Sequence, residues 1–169
     1  MNRVRLTHAL ALLTTGLLAG AFGYGAANLA PTFRRVPLQM RLEFHTELMR
    51  NNSISMQLTM ALAALACAAL AAVTTGRPRL LATLSGALVA ATFVITRFGN
   101  VPINHQINRW VTAGAPTDYA EILTRWDNFH YLRTGTALLA FALIILLALR
   151  AAARDSDDAP PQIPVAAAR

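Results

Sequence analysis

Four long apolar runs, each close to the length that crosses a bilayer, divide this 169-residue chain and leave it few other folds to adopt. A span needs about 20 mainly apolar residues when each adds 1.5 Å of rise. Runs of that kind fall at about residues 6–29, 53–75, 79–98 and 130–150. Lipid offers no hydrogen bonds to exposed backbone, so each run is expected to be a helix that satisfies its own N–H and C=O groups. The expected fold is therefore all-α: a four-helix transmembrane bundle occupying residues 1–154, with helices 2, 3 and 4 extending beyond one membrane face. Residues 155–169 are acidic and then rich in Pro and Ala, and are expected to form a disordered tail.

The net charge of +7 raises the question of nucleic acid. All fifteen basic residues are Arg, however, and they are scattered around the spans without forming a patch, so nucleic-acid binding is not expected. Cys67 is the sole cysteine, which excludes an intrachain disulfide, and it reads as a small apolar residue inside a span. The first run follows Arg3 and Arg5 as a signal peptide would, but its apolar stretch is longer than a usual signal core and is read as a retained span. Its Gly16-x-x-x-Gly20 pair would let a neighbouring helix approach closely. Arg3, Arg5, Arg77, Arg79, Arg150 and Arg154 gather at one end of the bundle. The positive-inside rule puts that end, and both termini, in the cytoplasm, although the other end carries eight Arg of its own. The chain is thus expected to be a multi-pass protein of the cell membrane.

Chemistry-bearing residues collect at the end opposite the tight Thr74–Arg79 turn. The stretch Arg97-Phe-Gly-Asn-Val-Pro-Ile-Asn-His-Gln-Ile-Asn-Arg-Trp110 continues directly from the third span. On a helix Arg97, Asn100, Asn104 and Asn108 form one polar stripe, with His105 beside it. Pro102 removes the backbone bond to Phe98, so with Gly99 nearby the helix should kink or partly unwind. No Pro or Gly interrupts Leu38 to Thr75, so helix 2 should run on past the membrane and bring His45 and Asn52 to the same end. Helix 4 presents Trp126, His130 and Arg133 on one face, and Tyr24 near the end of span 1 could join them. Arg133 is expected to pair with Asp127, Glu43 or Glu47, since a charge at that depth is costly without a partner. Glu43-x-His45-x-Glu47 has no spacing that puts all three on one helical face, so a metal site would have to draw His45, His105 and His130 from three different helices.

Asn100-Val-Pro-Ile-Asn104 followed by Trp110, and then Trp126-x-x-x-His130-x-x-Arg133, resembles the anthrone oxygenase-like family of small four-span membrane proteins. The resemblance covers the whole chain in span number and order, with the specific residues concentrated in helices 3 and 4. It implies oxidation of anthrones to anthraquinones with molecular oxygen, as in aromatic polyketide biosynthesis, and no flavin, haem or nucleotide fingerprint accompanies it.

The resemblance implies an oxygenase or oxidase, expected to act on a flat, lipophilic, anthrone- or phenol-like substrate that enters from the bilayer, at a site on one membrane boundary. His130 would be the base, with Arg133, Asn100 and Asn104 stabilising the developing oxyanion. Trp110, Trp126, Arg97, Asn52 and Tyr24 would contact the substrate. No cofactor is required in this version. A second version assigns His45, His105 and His130 to a copper or iron ion. A third reading is a non-catalytic membrane carrier or assembly partner whose polar end is a helix-packing network.

Overall fold

The computed structural model describes residues 3–157, with side-chain burial described through residue 153. Four helices follow one another in antiparallel succession: α1 (Arg3–Phe33), α2 (Leu38–Val73), α3 (Gly76–Ala113) and α4 (Tyr119–Asp157). There is no strand among the described residues. All four are long and apolar enough to cross a membrane. Each helix packs on two neighbours, α1 and α3 both touching α2 and α4, so the bundle is square in section. Residues 158–169, where most of the expected disordered tail falls, lie outside the described residues.

Packing is inverted relative to a water-soluble bundle. Large side chains such as Leu17, Ile54, Leu58, Leu65 and Leu139 point outward and are more than half exposed, as lipid-facing residues are. The lower interior interleaves small buried residues, Ala11, Ala63, Cys67, Ala82, Ala137 and Ala140, with Leu18, Leu70, Val89 and Ile144. Small residues let backbones approach, and dispersion and interhelical hydrogen bonds replace the hydrophobic driving force. Ser85 Oγ donates to the Ala140 carbonyl at 3.0 Å, and the hydroxyls of Thr92 and Thr136 meet at 2.8 Å, tying α3 to α4. Gly16 does allow a close approach, since a Cβ there would lie 3.1 Å from the Phe141 ring of α4. Gly20 has no such neighbour.

The upper third is different. Phe33, Leu42, Ile103, Ile107, Trp110, Ile122, Leu123 and Trp126 form a conventional core of large residues where the helices stand clear of their most apolar windows. At about 1.5 Å per residue the 36-residue α2 is about 54 Å long, well over the bilayer's ~30 Å hydrocarbon core.

Two of the helices widen for one turn at the junction between these zones. In α1 the segment Gly25–Leu29 is π-helical, and the Ala30 N–H reaches back five residues to the Gly25 carbonyl. In α3 the segment Thr96–Asn100 does the same, with the Val101 N–H on the Thr96 carbonyl. A proline follows immediately in both, Pro31 and Pro102. A proline ring has no N–H and collides with the carbonyl four residues back in an α-helix. Widening the preceding turn relieves the collision without breaking the helix. The break expected at Pro102 is therefore a single wide turn, and α1 runs through Pro31 to Phe33 where the apolar run alone ends at Leu29.

Candidate active site

The wide turn in α3 takes the expected polar stripe apart. Arg97 stays exposed on the side facing α2, whereas Asn100 is turned into the core against α4 and is fully buried. There its Nδ2 donates to the Trp126 carbonyl at 3.0 Å. One α-helical turn later the Asn104 Oδ1 accepts the Trp126 indole N–H at 2.7 Å. The two asparagines of the Asn-Val-Pro-Ile-Asn motif thus clasp one tryptophan, by its backbone and by its ring. Asn108, at the end of the stripe, accepts a hydrogen bond from the Thr46 hydroxyl at 3.0 Å.

Trp126 in turn organises both buried histidines. The His130 imidazole lies parallel to the indole, with centroids 5.3 Å apart and an angle of 13°. His45 meets it edge-on at 4.7 Å, and Phe33 stacks on His45 at 5.3 Å.

Hydrogen bonds from donor-only groups fix the tautomers of both rings. An indole N–H can only donate, so the Asn104 atom that faces it is the oxygen. His45 Nε2, 3.1 Å from the same oxygen, must therefore donate as well, which leaves His45 Nδ1 as a lone pair with no partner. A guanidinium likewise only donates. Arg133 Nε and Nη2 both converge on His130 Nδ1, at 3.2 and 3.0 Å, so His130 is neutral, accepts there, and carries its proton on Nε2. That Nε2–H is buried against the Gly25 backbone. Gly25, at the start of the wide turn in α1, makes room for it: a Cβ on Gly25 would lie 2.8 Å from His130 Nε2.

Arg133 is 7% exposed. The carboxylate expected beside it is absent: Asp127 pairs with Arg34 at 2.9 Å and Arg41 at 3.4 Å, and Glu47 with Arg50. Glu43 accepts from Gln39 on the exposed side of α2. Instead Arg133 Nη1 donates to Thr96 Oγ1 at 3.2 Å, and the guanidinium lies 4.5 Å over the Phe22 ring. Asp127, with its hydrogen bond and its charge, holds the exposed Arg34 guanidinium above its ordinary pKa.

These groups form one wall of a cavity of about 330 Å³, within the range of small-molecule sites. Its other walls are mainly apolar, including Phe22, Leu29, Phe33, Leu48, Met56 and Met60. Ser53 and Gln57 of α2 and Phe93 and Arg97 of α3 line it and are also exposed outside, so the cavity opens sideways at the seam between those helices.

Of the residues expected at the site, Asn52, Arg97, Asn104, Trp126, His130 and Arg133 line the cavity together. Asn100 stands behind it. Trp110 does not reach it, being packed against Ile103 and Ile107 in the upper core. Tyr24 is 63% exposed and faces away, because the wide turn that begins at Gly25 carries Gly25 rather than Tyr24 to the wall. The three-histidine metal site is not assembled. His105 is exposed on the outer side of α3, His45 and His130 are each held against Trp126, and among the described residues no three His, Cys, Asp or Glu side chains are placed to hold a metal ion. The base role expected of His130 also meets an obstacle, since its lone pair is already taken by Arg133.

Sequence reasoning missed Gly25, Thr96, Phe33 and the buried Arg41. The usable signal was Pro31, which stands to Gly25 as Pro102 stands to Thr96.

A square bundle of four helices long and apolar enough to span a bilayer, with a polar-walled cavity near the end of the spans, is a multi-pass membrane protein. The anthrone oxygenase family matches residues 45–143, more than half of the chain, and the protein belongs to that family. The match begins at His45 and includes Asn100, Asn104, Trp126, His130 and Arg133; α1, which supplies Phe22 and Gly25 to the cavity, lies outside it. Neither the curated proteins nor the solved structures yielded a match to the chain.

Proposed function

We propose that the protein is a membrane oxygenase or oxidase that takes a flat, lipophilic anthrone- or phenol-like substrate from the bilayer and oxidises it with molecular oxygen. One observation carries this reading: Arg133 is buried, charged and paired with no carboxylate among the described residues, and it stands on the polar wall of a cavity whose other walls are mainly apolar. Burying a cation costs several kcal/mol unless something negative answers it. The cation–π contact with Phe22 offsets part of that cost. An oxyanion on an aromatic ligand would offset the rest.

Removing a proton from the ring CH2 of an anthrone leaves an electron pair delocalised onto the carbonyl oxygen. Arg133 and the Asn104 Nδ2 are the donors that would hold that oxygen, fixed before the charge develops, with His130 holding the guanidinium in place. Trp126 and Phe22 would lie along the flat rings, with Asn52 and Arg97 nearer the mouth. The anion gives electrons to oxygen, a C–O bond forms, and loss of water leaves the quinone carbonyl. The lateral opening between α2 and α3 suits a substrate dissolved in lipid. The site lies at the non-cytoplasmic membrane boundary in this reading, with the Arg77/Arg79 turn and both ends of the bundle in the cytoplasm.

Oxygen uptake by the purified protein in lipid nanodiscs, with an anthrone as substrate, tests the proposal. The expected result is one quinone formed per oxygen consumed. No uptake by folded protein across a panel of anthrones and phenols would remove the reading.

A further inference from the structure

We propose that the cavity binds its aromatic ligand as a preformed or captured anion and supplies no base of its own, so that the ligand's own acidity sets the pH at which the site works. The inference rests on the aromatic-substrate reading above and narrows it to phenols and aryl ketones acidic enough to ionise into a cationic pocket.

The wall carries three titratable side chains, Arg97, Arg133 and His130, and no carboxylate. None of the three can accept a proton as arranged. The guanidiniums are donors only, and the His130 lone pair receives two N–H groups of Arg133 while its other nitrogen already carries hydrogen. Protonating His130 would also set a second positive charge directly against Arg133.

No neighbouring element supplies a group to take that part among the described residues. On α2, His45 has a bare Nδ1, but the ring is fully buried, covered by Phe33 and Trp126, and is not on the cavity wall. Arg41 of α2 is cationic, and Glu43 and Glu47 sit on its exposed face. On α4, Asp127 is bound by Arg34 and Arg41. α1 brings Phe22 and Gly25, which do not titrate, and α3 brings only Arg97.

What the wall offers is donors: the Arg133 guanidinium and the Asn104 amide, with the His130 Nε2–H behind them against Gly25. The Asn104 oxygen is occupied by Trp126 and His45, so its Nδ2 is the atom left for the cavity. Such a site pulls an acid toward its conjugate base. The O–H or C–H bond breaks, its electron pair stays on the ligand, and the proton leaves to water at the membrane boundary, where Asn52 and Arg97 line the cavity.

The probe is alizarin, a dihydroxyanthraquinone whose colour changes on ionisation, titrated against pH with the full-length protein in nanodiscs and with empty nanodiscs. The bound dye should ionise at a pH lower by about one unit or more, the effect of an opposite charge a few ångströms away. Arg133→Gln should remove most of that displacement. An unchanged or raised midpoint in the wild type overturns the proposal, whatever happens to the variant's folding. A second measurement uses turnover: across anthrones of graded acidity the pH midpoint of kcat/KM should follow each substrate, and a midpoint that stays fixed would reveal a protein base and overturn the proposal. The two readings fail separately. A displaced dye without oxygen uptake would sink the oxidase reading alone, and uptake without displacement would sink this one.

Discussion

Arg133, His130 and Asn104 face one cavity, and each is set by a different neighbour: Thr96, Gly25 and Trp126. Removing one pre-placed donor from an oxyanion site typically costs about 10²-fold or more in turnover. Arg133→Met should therefore lower kcat by at least about 10²-fold in the oxygen-uptake assay while the thermal unfolding midpoint holds or rises, because an unpaired buried charge has been removed. Asp127→Asn should do the reverse. It strips the buried Arg41 of its counter-ion, which costs about 3–5 kcal/mol when a buried pair is broken, and thermal unfolding in detergent should show the loss directly. The sequence pointed to Trp126, His130 and Arg133 because a four-three spacing on one helix is enough to place them on one face. It could not show that Asp127, one residue from Trp126, would pair with Arg34, just past α1, and Arg41 of α2, since long-range pairing leaves no trace in local spacing. Trp110 failed for the opposite reason: an aromatic beside a polar stripe reads equally well as wall or as core, and only the packing of Ile103 and Ile107 around it decides.

At the scale of the element, α1 and α3 are built alike. Each crosses the membrane as an α-helix, widens for one turn, meets a proline, and resumes. The proline in α3 was legible as a disturbance, but proline chemistry allows a kink, an unwinding or a π turn, and tertiary packing selects among them. Gly99 shows how tightly it does so. A Cβ there would fall 2.6 Å from the Phe129 ring, so Gly99→Ala should destabilise the protein by about 1–3 kcal/mol, measured by thermal unfolding in detergent. Gly20→Ala, with nothing within 4 Å, should be neutral or gain a few tenths of a kcal/mol from helix propensity. Gly25→Ala separates function from stability. Its Cβ would press on the His130 imidazole at 2.8 Å, and oxygen uptake should fall several-fold more than the melting temperature suggests.

Over the whole molecule, four antiparallel helices return the chain to the side on which it began, with the cavity toward the opposite side. Reporter fusions after residue 157 and within the Gly114–Asp118 loop should report cytoplasmic and external locations respectively; the opposite result would invert the site's address. The four-helix plan was readable from apolar run length because lipid leaves the backbone no alternative. A cavity at the membrane boundary was expected from the polar residues gathered there, but its shape was not readable, because it depends on two wide turns on non-adjacent helices falling at the same level. A π turn is an α-helix carrying one extra residue, and it rotates everything beyond it by about 100° relative to what lies below. The bundle therefore has a clutch. The lower, lipid-bound halves of α1 and α3 can keep their small-residue packing while the upper halves are re-indexed one residue at a time, so relatives differing by a single insertion or deletion near Gly25 or Thr96 would show the substrate a different set of side chains from the same membrane scaffold.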